Sequence, residues 1–449
     1  MERDAFIRAL LARCAERGVA GEVCHEAGSS FEVSVKDGEI VHYSAADALG
    51  LGLRVLKDGH TGVASTQILD EAALDQLTDG AIENAALVES EDEQIMYPGD
   101  AEYPALALYN PAVDALSAAD KIDMARQLER LTLRQDPRIA QVEECAVFAS
   151  TEARLLRNTL GLNVSTRVSL LGGYVCAVAR EGERVNTGSK LFFAMDPEAI
   201  DLEAAAREAA REALDGLDGG SVPSGSYRAL LRRDVAATLL STFAGVFSAD
   251  NAQRGLSRLR GREGDAIAAG CVTLMDDPHR PDSAASAPFD GEGVATRVKA
   301  VIGNGRLNTL LHNLKTARKQ GVQTTANAAR ASYASGVGVA PSNFFFAPSD
   351  VDFEGMLART GEGLLITDVQ GMHAGANPIT GDFSLAAKGF RIENGRRAAP
   401  VNQITVAGNF YDLLQDIEAV GGDLEFRAPG VSCFGSPSLL VKGLSVAGK

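Results

Sequence analysis

Residues 361–395 read GEGLLITDVQGMHAGANPITGDFSLAAKGFRIENG, and the chain continues through Pro400 into VNQITVAGN at 401–409. Three short β-prone runs stand out, at 366–369, 390–392 and 404–406. Asn394-Gly395 tolerates the positive φ angles of a two-residue hairpin. The other break is a glycine-flanked loop, Gly371-Met-His-Ala-Gly375, with Asn377, Thr380 and Asp382 close behind. A polar cluster at a strand end is a common place for function. Asn377-Pro378 and Gly381-Asp382 equally suit turn-setting, with side chains capping backbone groups. Gly361-Glu362-Gly363 lacks the third glycine and following helix of a dinucleotide loop.

Outward from this stretch the C-terminal half stays β-dominated. Runs at 227–231 and 439–441 and the pair Asn304-Gly305 add strands and a hairpin, and 235–247 reads as a helix. Upstream, Gly219-Gly-Ser-Val-Pro-Ser-Gly225 is flexible punctuation between two patterned regions. It sets expected domains of 1–222 and 223–449. The first opens with an amphipathic helix carrying Phe6, Leu10, Leu11 and Cys14, then alternates in period two at 31–35. Asp37-Gly38 and Asp58-Gly59 are further hairpin signals. Helices are expected over 69–89, 117–134 and 197–217, with strands over 142–157, 164–180 and 190–195. The last helix is alanine-rich and too short for a coiled coil, so it reads as core. At 449 residues the chain exceeds one ordinary core. The fold class is α+β with two domains.

Sixty acidic residues against 43 basic ones leave a net charge of −17, which repels a nucleic-acid backbone. Arg254, Arg258, Arg260 and Arg262 are interrupted by glycines and followed by Glu263 and Asp265. They read as a solvated loop or a protein contact. No apolar run approaches the roughly 18 residues of a membrane span, and the N-terminal helix is not a cleavable signal. A cytoplasmic protein is expected. The six cysteines form no C-x-x-C pair, so zinc-finger and dithiol readings fail on spacing, and buried reduced thiols are expected.

Together with Ser286-Ala-Pro-Phe-Asp-Gly-Glu-Gly-Val294, the 361–409 stretch resembles the TldD/PmbA family, known as modulators of DNA gyrase, and within it the PmbA (TldE) branch. The resemblance implies an α/β N-terminal domain, a β-rich, barrel-like C-terminal domain and a substrate cleft between them. In the TldD branch a His-Glu-x-x-x-His helix and a late cysteine hold zinc. With 235–240 as the lead-in to that helix, Ser241, Thr242 and Val246 stand where the histidines and glutamate would be. Valine cannot ligate, and serine and threonine are neither good zinc ligands nor bases at neutral pH.

The resemblance therefore implies a subunit with no metal or cofactor of its own, not catalytic alone. Zinc is expected on a TldD-type partner, and this chain is expected to bind unfolded or extended peptides for it by strand addition. Alone, a homodimer through the C-terminal half is expected. The alternatives are a homodimeric, protein-binding regulator without protease activity, and a hydrolase built around His373, Asp382 and Cys433. The candidate peptide-binding residues are His373, Asn377, Asp382 and Glu292, the last held between two glycines in the 286–294 phrase. His312 reads as a junction between a strand over 306–311 and a helix. His279 beside Asp276 and Asp277 suits a surface turn or a metal site. Ser384, His373 and Asp382 form a triad only in composition.

Overall fold

The computed structural model describes residues 1–89, 92–427 and 430–449. Its N-terminal part uses one motif twice. Helix Arg3–Glu16 leads into strands Ala20–Lys36, Glu39–Lys57 and His60–Thr66 and then helix Glu71–Ala86. Helix Ala118–Leu133 leads into strands Ile139–Asn158, Asn163–Glu181 and Arg184–Ala194 and then helix Leu202–Asp215. Each trio is an antiparallel meander, and the two first strands pair antiparallel with Gly28 opposite Glu152. The result is one six-stranded sheet, symmetric in its strand order about that central pair.

The repeat extends to how helix meets sheet. A Cβ on Gly62 would lie 2.0 Å from the Ala81 carbonyl oxygen and 2.2 Å from the Ala85 nitrogen. A Cβ on Gly188, on the third strand of the other trio, would lie 2.2 Å from the Ala213 nitrogen and 2.4 Å from the Ala209 oxygen. Glycine on the strand and alanines four apart on the helix let the two backbones touch. Helix starts are fixed by side-chain caps from Asp70, Ser117 and Asp201, each satisfying otherwise orphaned amides.

The expected helices are observed within a few residues of their ends, and Asp37, Asp58, Asn304 and Asn394 each take positive φ before a glycine that does the same. Strand extent differs. The 31–35 run is part of the 17-residue strand Ala20–Lys36, and its partner Glu39–Lys57 was not expected beyond its turn signals. The strand expected to reach residue 311 ends at Leu307, and Leu311 instead bridges to Ser248.

The C-terminal part holds a closed barrel of five strands. Arg396–Asn409 pairs with Asp382–Glu393, which pairs with Gly363–Gln370, then Gly225–Leu231, then Leu439–Ala447. Thr405 opposite Ala447 closes the ring, leaving no free edge among these strands. Only the contact between Gly225–Leu231 and Gly363–Gln370 is parallel. A second sheet, containing Leu274–Asp276, Asn343–Phe346 and Cys433–Ser436, lies alongside. Helix Arg233–Phe243 supplies Val235, Ala236, Leu239, Leu240 and Phe243 to the shared core, and Phe243 stacks on Phe410 at 4.9 Å between centroids. Among the described residues no helix is long and apolar enough to cross a membrane.

Candidate functional site

Helix Arg233–Phe243 carries the positions read as the degenerate zinc motif. Its start is set by Arg232, ion-paired to Asp234 at 2.6 Å, and the acidic residue in the first turn complements the helix dipole. The apolar side turns to the core, leaving Thr238, Ser241 and Thr242 for the other face. The α-helix stops at Phe243 and tightens to a 3-10 turn over Ala244–Phe247. Val246, expected within the helix, is therefore in that turn and fully buried.

The two threonine hydroxyls are spent locally. Thr238 donates to the Asp234 carbonyl at 2.7 Å and Thr242 to the Thr238 carbonyl at 2.8 Å. Arg427 donates to the Thr238 hydroxyl oxygen, bringing a cation to this face of the helix. Cys433, on the strand packed against the helix, donates its thiol to the Arg427 carbonyl at 3.1 Å. Burial pushes that thiol up to about 11, disfavouring the thiolate that zinc ligation needs. Among the described residues no three His, Cys, Asp or Glu side chains converge on one point. These residues do not fit a catalytic zinc.

The loop after Gly363–Gln370 forms the short helix Met372–Gly375 and a tight turn. His373 is exposed. The Asn377 side-chain oxygen accepts from the Ile379 and Thr380 amides at 3.0 and 3.2 Å. Asp382 is also exposed, and it accepts from the Asn409 amide at 2.8 Å. That bond and the Thr380 hydroxyl hold its carboxyl below the usual carboxylate range. Asn377 and Asp382 thus set the turn, and His373 lies exposed beside it.

Glu292 lies elsewhere, inside the molecule at 3% exposed. Its carboxylate accepts from the Leu314 amide at 2.8 Å and faces Arg54 at 3.5 Å. Arg54 pairs with the fully buried Glu22 at 3.1 Å, and Arg330 binds both Glu22 and, at 2.7 Å, the Gly291 carbonyl. Two strands of the N-terminal sheet are thereby bolted to the 286–294 turn. Asp290, in the same turn, accepts from the amides of Glu292, Val294 and Ala328. Burial, reinforced by the Glu292 charge, pushes its carboxyl up to about 7. Burial likewise raises Glu292, against the opposing pull of Arg54. Glu22, Arg54 and Arg330 gave no sequence signal, because the network joins residues 238 and 308 positions apart, Arg54 to Glu292 and Arg330 to Glu22.

The other candidates resolve into structure. His312 is 1% exposed, just before the Asn313 cap of helix Leu314–Gln320. The His279 ring meets the Thr296 hydroxyl at 3.1 Å, while Asp276 is buried and paired with Lys299 at 2.8 Å. A cavity of about 350 Å³ does lie between the two parts of the chain, walled by Arg211, Glu212, Arg232, Lys388, Phe390 and Arg397 among others. The 371–383 loop does not line it.

Comparison with known proteins accounts for most of the chain. Profiles of PmbA/TldA metallopeptidase domain 1, central domain and C-terminal domain match residues 21–85, 111–217 and 224–448 in order. Metalloprotease PmbA of Escherichia coli O157:H7 is 28% identical over 443 residues, covering 95% of this chain and 92% of the relative. A crystal structure from Thermotoga maritima, described as a modulator of a DNA gyrase, is 34% identical with TM-score 0.91, covering 99% of this chain and 100% of its own. TldE of Thermococcus kodakarensis shares the fold at TM-score 0.90, covering 99% and 100%, with 23% identity.

Proposed function

Because this chain belongs to the PmbA/TldD family of metallopeptidases, we propose that it is the non-zinc subunit of a TldD–TldE-type protease, holding unfolded or extended peptides for a zinc-bearing partner. The observation that carries this reading is the chemistry of helix Arg233–Phe243. It offers Ser241 and Thr242 where a metallopeptidase needs imidazoles and a carboxylate, and the nearby Cys433 is a buried thiol. Such a chain has no means of polarising a peptide carbonyl or activating water through its own metal. Its contribution is to complete a chamber and hold substrate, with His373 and the Asn377–Asp382 turn as the contact surface. Glu292 serves from within, fixing the 286–294 turn.

We further propose domains of 1–222 and 223–449, association through the C-terminal half, and residence in the cytoplasm. The test is purification of the tagged chain from its host. The reading expects a TldD-type chain to co-purify and peptide hydrolysis to require both. Hydrolysis by this chain alone, or a homodimer that ignores both peptide and TldD-type chain, contradicts it.

A further inference from the structure

The strand Glu39–Lys57 has two neighbours for only part of its length. Leu51 to Lys57 pair with His60–Thr66 on the outer side, whereas residues before Leu51 pair only with Ala20–Lys36. From Glu39 to Leu49 every residue is exposed. The register slips once, between Ser34 and Val35, leaving Val41 unmatched. From His42 to Leu49 the edge is then regular. Open edges are normally guarded by lysine, proline or a bulge within the strand. His42 to Leu49 contains neither residue nor a further slip, and it displays Tyr43 at 50% and Leu49 at 42% exposed.

Beside this edge lies a cavity of about 300 Å³. Its floor is built of small side chains, with Ser29, Ala45, Ala149 and Thr151 on one face of the sheet. Phe31 closes one wall, with Tyr43 edge-on to it at 5.4 Å and the Lys121 ammonium 4.8 Å from its ring centre. Asp114 is held ionised by the Thr151 hydroxyl, with Tyr109 and Arg167 assisting. Asp47 also lines the cavity, and among the described residues its carboxylate has no hydrogen bond or ion pair. Tyr43, Ala45 and Asp47 alternate onto the cavity face, as side chains two apart on a strand must.

We propose that an extended peptide adds to this sheet as a seventh strand along His42–Leu49, with a basic side chain drawn to Asp47 at the mouth of the cavity. The proposal rests on the peptide-holding role above and names the subsite and the residue class it selects. Main-chain hydrogen bonds to the open edge supply sequence-independent affinity, and alternate side chains fall against Tyr43, Ala45 and Asp47. Charge decides the occupant. A second copy would bring another net −17 to the edge, whereas a cationic peptide is attracted.

The test uses the full chain and two dye-labelled, unstructured peptides, rich in Thr and Val, that differ only in carrying one Lys or one Glu. Tyr43→benzoylphenylalanine places a photo-reactive ring on the edge, and Val185→benzoylphenylalanine on an exposed part of the same sheet is the control. The proposal expects peptide cross-links at 43 and not at 185. It also expects Asp47→Lys to weaken binding of the Lys peptide about threefold, the scale of one exposed ion pair, without weakening the Glu peptide. Peptide that binds but cross-links nowhere near 43 overturns the subsite and leaves peptide holding intact. A cross-link at 43 joining two copies overturns it in favour of a chain–chain interface. Failure of both peptides to bind overturns the subsite and the peptide-holding role together.

Discussion

Replacing Glu22 by glutamine should cost more stability than any exposed ion pair in the molecule. Glu22 is fully buried, and one of its oxygens serves Arg54 at 3.1 Å and also Arg330, whose side chains are 2% and 1% exposed. The amide keeps the shape and one acceptor oxygen but removes the charge. Two guanidinium groups then remain inside with Glu292 as the nearest carboxylate, 3.5 Å from Arg54. Breaking a buried pair by removing one partner costs roughly 3–5 kcal/mol; with the retained acceptor we take the lower end, about 3 kcal/mol. At about 2–4 °C per kcal/mol for domains of a few hundred residues, the melting temperature falls by about 6–12 °C. The assay is differential scanning calorimetry of Glu22→Gln beside Arg184→Ala, which removes two exposed ion pairs, to Glu181 and Asp218, and should cost about 1 kcal/mol or less. Equal, small shifts in the two variants would refute the view that this buried network holds the two parts of the chain together.

Asp290 gives a pH test with a definite sign. Its folded carboxyl is raised from 3.8 to about 7, so the folded state prefers the proton. The contribution is full below pH 4 and is lost as pH rises toward 7, a span worth at most on the order of 4 kcal/mol. Asp290→Asn should therefore flatten the decline in melting temperature between pH 4 and 7, and an unchanged decline would count against it. At the hairpin tip, His373→Ala should weaken peptide capture by the complex with little change in melting temperature, since exposed substitutions stay within about 0.5 kcal/mol. Asp382→Ala, which also removes the bond to Asn409, should lower both. Lost stability with unaltered peptide handling in both variants would make the loop architectural.

The turns and helices were legible because their signals are local, whereas the barrel was implied only by the family resemblance, since its closing pairs join strands far apart in sequence. Four Asx-Gly pairs marked four tight turns, and helix start and stop signals on either side of a proline-bearing linker located helices Glu71–Ala86 and Ala118–Leu133. Strand Glu39–Lys57 escaped because its first eleven residues face solvent on both sides, so no alternation of burial is imposed on its composition. The doubled helix–meander–helix motif escaped for a related reason: Gly62 and Gly188 do equivalent work against Ala81/Ala85 and Ala209/Ala213 in otherwise dissimilar sequence. Glu292 stood out through its flanking glycines, but its burial depends on Arg54, Arg330 and Glu22, which only the fold brings near. The 371–383 loop was placed at a strand end in both readings, and its Asn377 bonds are those of a turn.

The central claim, that this chain holds peptide without supplying the metal, meets its most direct test in one titration. The purified chain is equilibrated with zinc, its bound metal is counted by elemental analysis, and cleavage of an unstructured peptide is followed with and without chelator. The account predicts no stoichiometric zinc and no cleavage, with peptide still bound. One zinc per chain together with chelator-sensitive cleavage would contradict it.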